Sequence, residues 1–144
     1  MSAGIAAAFA TVEDAEAAFY DAFARADVNA MMSVWAEDED IECVHPTGAR
    51  LSGRRAVSES WQAIFSNFPG MEFHIDARRR FDSAGMTIHV VHEHIRVGRA
   101  NEFGPPVIAT NAYRLTESGW RMVLHHASPS PAARKKHESA KTIH

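Results

Sequence analysis

Cys43 is the sole cysteine among 144 residues. An internal disulfide is excluded, and a lone thiol fits a reducing compartment. Positive charge is also scarce: 15 Lys and Arg against 18 Asp and Glu give a net charge of -3. Nucleic acid and anionic membrane surfaces favour a basic face, so neither is expected as a partner. No apolar run reaches the ~20 residues of a membrane span. The opening MSAGIAAAFA is small and apolar, but no Lys or Arg precedes Arg25, so the basic region of a secretory leader is missing. The expected location is the cytoplasm.

What is present reads as one domain. Residues 1–10 are expected to be a frayed start, 11–128 the folded domain, and 129–144 a mobile polar tail. Thr11-Val-Glu-Asp14 resembles a capping box, and Val12, Ala15, Phe19, Ala22, Phe23 and Ala26 follow at helical spacing. Asp27 caps a second, shorter helix, and the acidic run Glu37 to Asp40 reads as a solvated turn. Ile41 to His45 alternates as a strand and stops at Pro46-Thr47-Gly48. Ser52 is expected to cap a third helix with Val57, Trp61, Ile64, Phe65 and Phe68 on one stripe. Strands then run from Met71 to about Phe81, Met86 to Val97, Val107 to Thr116 and Trp120 to Ser128. Helices followed by an antiparallel meander make an α+β architecture.

Several pieces carry a resemblance: Ala26-Asp27 between helices, Trp35-Ala-Glu-Asp38, His45-Pro46, Gly53 before the third helix, and Trp120 leading to His126-Ala127-Ser128. In this order they resemble the nuclear-transport-factor-2-like superfamily, in particular its SnoaL-like branch. The last piece also resembles the end of the association domain of calcium/calmodulin-dependent protein kinase two. The resemblance implies a cone-shaped, cystatin-like fold: three N-terminal helices on a strongly curved, mixed, mainly antiparallel sheet. It implies a pocket at the open end and a homodimer through the outer sheet face. Its members include a ketosteroid isomerase, polyketide cyclases, dehydratases and non-enzymatic hub domains. The isomerase's helix-one tyrosine aligns with Phe19, leaving Tyr20 turned about 100° away around the helix. Its base aspartate aligns with His45, or with Cys43 if no gap is placed, and its second oxyanion donor with Asn111. The hub domain's arginines fall at Val91, Asn111 and Ala127.

If Asn111 faces the pocket, alternation sends Tyr113 the same way, and His89, Val91 and Glu93 on the neighbouring strand. A three-residue turn sets Val123 opposite Tyr113 and His125 opposite Asn111; a one-residue slip would bring His126 inward instead. The expected catalytic residues are His45 as proton acceptor, Asn111 as oxyanion donor and Glu93 as orienting group or base. Trp61, Phe65, Tyr113, His125, Val91 and Trp35 are the expected ligand-binding wall. Cys43 reads as an inert buried thiol. His92 and His94 share a face and could chelate zinc or nickel, but spacing fixes no third ligand, so no metal is assigned. Arg78, Arg79 and Arg80 alternate across a strand and form no single patch.

Two functions follow. One is a small-molecule-binding, cofactor-free isomerase, dehydratase or cyclase acting on a small apolar carbonyl compound by general acid–base catalysis. The other is a ligand-sensing or assembly module.

Overall fold

Helices start where the capping side chains stand. A computed structural model describes residues 9–130; residues 1–8 of the expected frayed start and 131–144 of the expected tail lie outside the described residues. Helix α1 (Val12–Arg25) opens on Thr11, whose Oγ1 accepts the Asp14 N–H at 3.0 Å. Ala26 ends it in the left-handed region at φ 55°. Helix α2 (Val28–Val34) opens on Asp27, whose Oδ1 accepts the Ala30 N–H at 2.9 Å. Each cap satisfies an orphan first-turn donor, for about 1 kcal/mol.

The next segment departs from expectation. Strand β1 (Glu42–Val44) pairs antiparallel with β2 (Arg50–Ser52), which sequence reading missed. Ser52 is therefore a strand residue, and its hydroxyl bonds Glu42 rather than capping helix α3 (Arg54–Ser66). Gly53 takes the cap position at φ 87°, and the Glu39 carboxylate accepts the Arg54 N–H at 3.2 Å. Part of the acidic run thus neutralises a helix start.

Strands β3 (Met71–Ser83), β4 (Met86–Val97), β5 (Val107–Thr116) and β6 (Gly119–Pro129) complete a six-stranded sheet. Its order is β2-β1-β6-β5-β4-β3, and β1 runs parallel to β6 while the other pairs are antiparallel. The architecture is α+β, three helices on an unclosed mixed sheet. The core lies between the helices and the inner sheet face, with Phe19, Met31, Trp35, Trp61, Tyr113 and Met122 fully buried. No described helix is long and apolar enough to cross a membrane.

The β5–β6 hairpin turns on two residues rather than three, because Thr116 pairs with Gly119. A bulge then skips Val123, so Tyr113 opposes Met122 and Ala112 opposes Leu124. From there His125 faces Asn111, as expected, although the turn differs. His125 is buried and His126 exposed.

Residues 9 and 10 were expected to fray, yet Phe9 is tied to the hairpin. It bridges Gly119, its carbonyl accepts the Trp120 N–H at 2.8 Å, and its ring packs on the Arg121 guanidinium. Gly119 has φ 98°, and a Cβ there would meet Phe9 O at 2.7 Å and Phe9 N at 2.8 Å. Both the conformation and the backbone contact exclude a side chain. Gly119→Ala is expected to cost about 1–3 kcal/mol, read as a lower melting temperature in calorimetry; an unchanged melting temperature would refute this contact.

Candidate active site

Strand β4 presents Thr87, His89, Val91 and Glu93 inward, and β5 adds Ala109, Asn111 and Tyr113. Helix α1 lies over them and supplies Glu16 and Tyr20, one turn apart on the same side. A continuous hydrogen-bond chain results. His125 Nδ1–H donates to Asn111 Oδ1 at 2.6 Å, Asn111 Nδ2–H to Tyr20 Oη at 2.9 Å, and Tyr20 O–H to Glu93 Oε2 at 2.6 Å. All four residues are buried. Each donor points the same way along the chain, so the bonds polarise one another towards Glu93.

Burial sets the charge states. Desolvation pushes the Glu93 carboxyl up to about 7, against the opposing pull of the Tyr20 hydrogen bond. Desolvation also drives His125 down to about 3, with His45 and His126 adding to the effect, so its imidazole is neutral and serves as a fixed donor. Tyr20 is raised well above its ordinary value, first by burial and then by the Glu93 charge, and keeps its proton. Glu93 is thus a buried carboxyl that titrates near neutrality, well above the ordinary carboxylate range.

His45 follows the end of β1 and is half-buried. Its Nε2 lies 3.0 Å from Ser60 Oγ, and that hydroxyl already donates to the Val57 carbonyl at 2.7 Å. Ser60 must therefore accept from His45 Nε2–H, which leaves Nδ1 as the ring's basic nitrogen. Burial lowers the pKa of this imidazole and holds it neutral. Its ring stands edge-on to Trp61 at 4.7 Å and 6.4 Å from the His125 ring. Cys43 lies 3.6 Å from His45 Nε2, but burial pushes its thiol up to about 12, so it is no ready nucleophile.

A second buried group sits beside the first. Glu16 accepts from His89 Nδ1 at 2.9 Å and from Arg78 Nη2 at 2.6 Å. Burial raises the Glu16 pKa, but these two bonds outweigh it and hold the carboxylate ionised. Arg78 can reach inward because β3 bulges between Asp76 and Arg79, with Ala77 at φ 53°. This corrects the reading of Arg78 as a member of a plainly alternating run.

The wall residues are close-packed. Trp61 touches Phe19, Phe23, Phe65 and His125 with ring centroids 4.9–6.1 Å apart. Val91 and Tyr113 are fully buried, and Phe65 is half-buried. Two surface clefts of about 560 and 630 Å³ lie elsewhere; of the expected wall residues they include Trp35 alone. The side chains packed around Trp61 occupy much of the expected hollow. Three polar atoms within it, Trp61 Nε1, His89 Nε2 and Tyr113 Oη, are buried without a partner among the described residues. Such orphans are uncommon in folded interiors.

So the structure joins Asn111, Glu93 and His125, and places His45 beside His125 across Trp61. Tyr20 links them, and sequence reading had set it aside as turned away. A signal was present: Glu16 and Tyr20 stand at i and i+4 on one helix, next to the apolar stripe.

Comparisons with known proteins agree with this architecture. The model of the SnoaL-like domain matches residues 12–133. A Thiobacillus denitrificans structure, provisionally named a calcium/calmodulin-dependent protein kinase type II association domain, is 41% identical, with TM-score 0.82, covering 85% of this chain and 98% of that one. A Streptomyces avermitilis structure, provisionally named a dehydratase of the NTF2-like family, is 32% identical, with TM-score 0.75, covering 83% and 93%. The Arabidopsis thaliana F-box protein SKIP8 is 28% identical over 101 residues, and the match spans 70% of this chain but only 42% of that protein. More distant structures with a cystatin-like fold share the architecture alone. The chain belongs to the SnoaL-like family of the NTF2-like fold.

Proposed function

We propose that this chain is a cofactor-free general acid–base enzyme acting on small, largely apolar carbonyl compounds, in the class of dehydratases, isomerases and cyclases. The observation that carries the reading is Glu93: a carboxyl at about 7, buried at the end of the His125–Asn111–Tyr20 chain. A group that titrates near the working pH both gives and takes protons efficiently. His45 Nδ1 is the base that removes the proton next to the carbonyl. Once Glu93 is protonated its carboxyl donates to Tyr20 Oη, alongside Asn111 Nδ2–H, and the freed Tyr20 O–H donates to the oxygen that becomes negative. Protonated Glu93 then gives its proton to a leaving hydroxyl, which departs as water, or to a new carbon position in an isomerisation. The unpartnered Trp61 and Tyr113 groups are further donors for a bound molecule. The half-buried rings Phe23, Phe65 and Phe73 form the apolar approach, and ligand entry displaces them. The dehydratase name of the Streptomyces relative supports the same class.

The test is a panel of β-hydroxy ketones and non-conjugated enones, read by the absorbance of the conjugated enone. Turnover with a pH step near 7 is the expected result. Absence of turnover across the panel would favour the second reading, an assembly module, which rests on the association-domain name of the 41% identical relative. In either reading the outer sheet face, carrying half-buried Ile88, Val90 and Leu124, is proposed as a homodimer interface, checked by native mass.

A further inference from the structure

On the outer face of the sheet, strands β3 and β4 bring four metal-ligating side chains into one block. Asp76 stands directly opposite His92, and His74 directly opposite His94. Alternation explains the block: Ile75 and Glu93, the residues between them, turn inward, so the four flanking side chains all turn outward. His94 Nε2 and Asp76 Oδ1 are 2.8 Å apart, and His74 Nε2 lies 3.9 Å from Asp76 Oδ2. The His74 and His94 rings are 5.7 Å apart, and those of His92 and His94 6.3 Å. One ligand atom each from Asp76, His92 and His94 falls within 4.8 Å of the others.

We propose that Asp76, His92 and His94 form a site for a borderline divalent cation, zinc first, with His74 as the fourth ligand. Two observations separate this from an ordinary polar surface. The ligands come from a two-by-two arrangement on paired strands, so their backbones are fixed by the ladder rather than by a mobile loop. The donor set, three imidazoles and one carboxylate, is the nitrogen-rich set that zinc, nickel and copper select over magnesium or calcium. Tetrahedral bonds of 2.0–2.2 Å put ligand atoms ~3.4 Å apart. Closing the observed group from within 4.8 Å needs movement of side-chain ends only. Asp76 has half of its side chain exposed and His94 a quarter, so the site is open to solvent in a single chain. It lies next to the bulge that follows Asp76, where the edge strand β3 loses its register. A bound ion would tie β3 to β4 there and leave the interior chain untouched. Sequence spacing gave only the His92/His94 pair; the third ligand comes from strand pairing.

The test uses tag-free protein stripped with a chelator and titrated with zinc chloride by calorimetry, with cobalt(II) absorbance for coordination geometry. One ion per chain, a raised melting temperature and a tetrahedral cobalt spectrum are expected. The double variant His92→Ala, His94→Ala is expected to bind at least about tenfold more weakly, since even outer-shell partners contribute that much. Asp76→Asn is expected to weaken binding while keeping the fold, and His126→Ala to bind as the parent does. Binding that is absent in the parent, or unchanged in the double variant, overturns the proposal.

Discussion

Glu93→Gln is expected to stabilise the protein above pH 7 by about 3 kcal/mol relative to the parent, and by almost nothing at pH 4.5. The reasoning is proton linkage. The folded-state Glu93 pKa is raised from 4.5 to about 7. Between those values the folded state holds a proton that the unfolded state has released. The parent therefore loses stability as pH rises through this window, at about 1.4 kcal/mol per unit. Glutamine keeps an acceptor for Tyr20 O–H and carries no charge, so the loss disappears. His125 acts in the opposite sense: depressed from 6.5 to about 3, its neutral form gives stability that is complete above 6.5 and lost as pH falls. In the parent the two slopes oppose each other between pH 4.5 and 6.5. In Glu93→Gln the His125 slope is no longer opposed by Glu93, buried His45 adds in the same sense, and stability climbs with pH over that window. Urea unfolding at fixed protein concentration, at pH 4.5, 6 and 8, measures the difference. A variant-minus-parent difference that stays constant with pH would mean that Glu93 ionises normally.

Removing one oxygen from Tyr20 is expected to have the next largest effect. Its hydroxyl is the middle of the chain, accepting from Asn111 and donating to Glu93. Tyr20→Phe leaves a buried amide N–H and a buried carboxyl each short of a partner, at a cost of about 1–3 kcal/mol. It also removes the one bond that lowers the Glu93 pKa, so the carboxyl rises further and its pH step moves to higher pH. On a substrate found in the enone panel, kcat is expected to fall at least about a hundredfold, as for loss of an oxyanion donor. A fall in stability with kcat and the pH step unchanged would make Tyr20 a packing residue only.

Local signals in the chain were legible where one residue type does one job. Thr11 and Asp27 announced helix starts because their side chains can only cap there, and the alternation of Met86 to Val97 matched β4 residue for residue. Gly119 reads as the last residue of a three-residue turn but opens β6, because the compensating bulge at Val123 arises from sheet twist and packing rather than from composition. Strand β2 was invisible: Arg50-Leu51-Ser52 is too short for a period, and pairing with β1 alone makes it a strand. The site was half legible. Asn111, Glu93 and His125 followed from alternation along two strands. Tyr20 and Glu16 did not, because a polar residue beside an apolar helical stripe reads as solvent-facing until the buried partners on β4 and β5 are known. Arg78 turned inward for a similar reason, since the left-handed Ala77 that aims it leaves no mark in the sequence.

The most direct measurement is the titration of the Glu93 side-chain carboxyl carbon by ¹³C NMR in glutamate-labelled protein, assigned with Glu93→Gln. A midpoint near 7, which rises in Tyr20→Phe, is the result that follows from a buried carboxyl held at the end of the His125–Asn111–Tyr20 chain. A midpoint near the ordinary value of 4.5 would contradict it, and with it the acid–base role given to the interior of this fold.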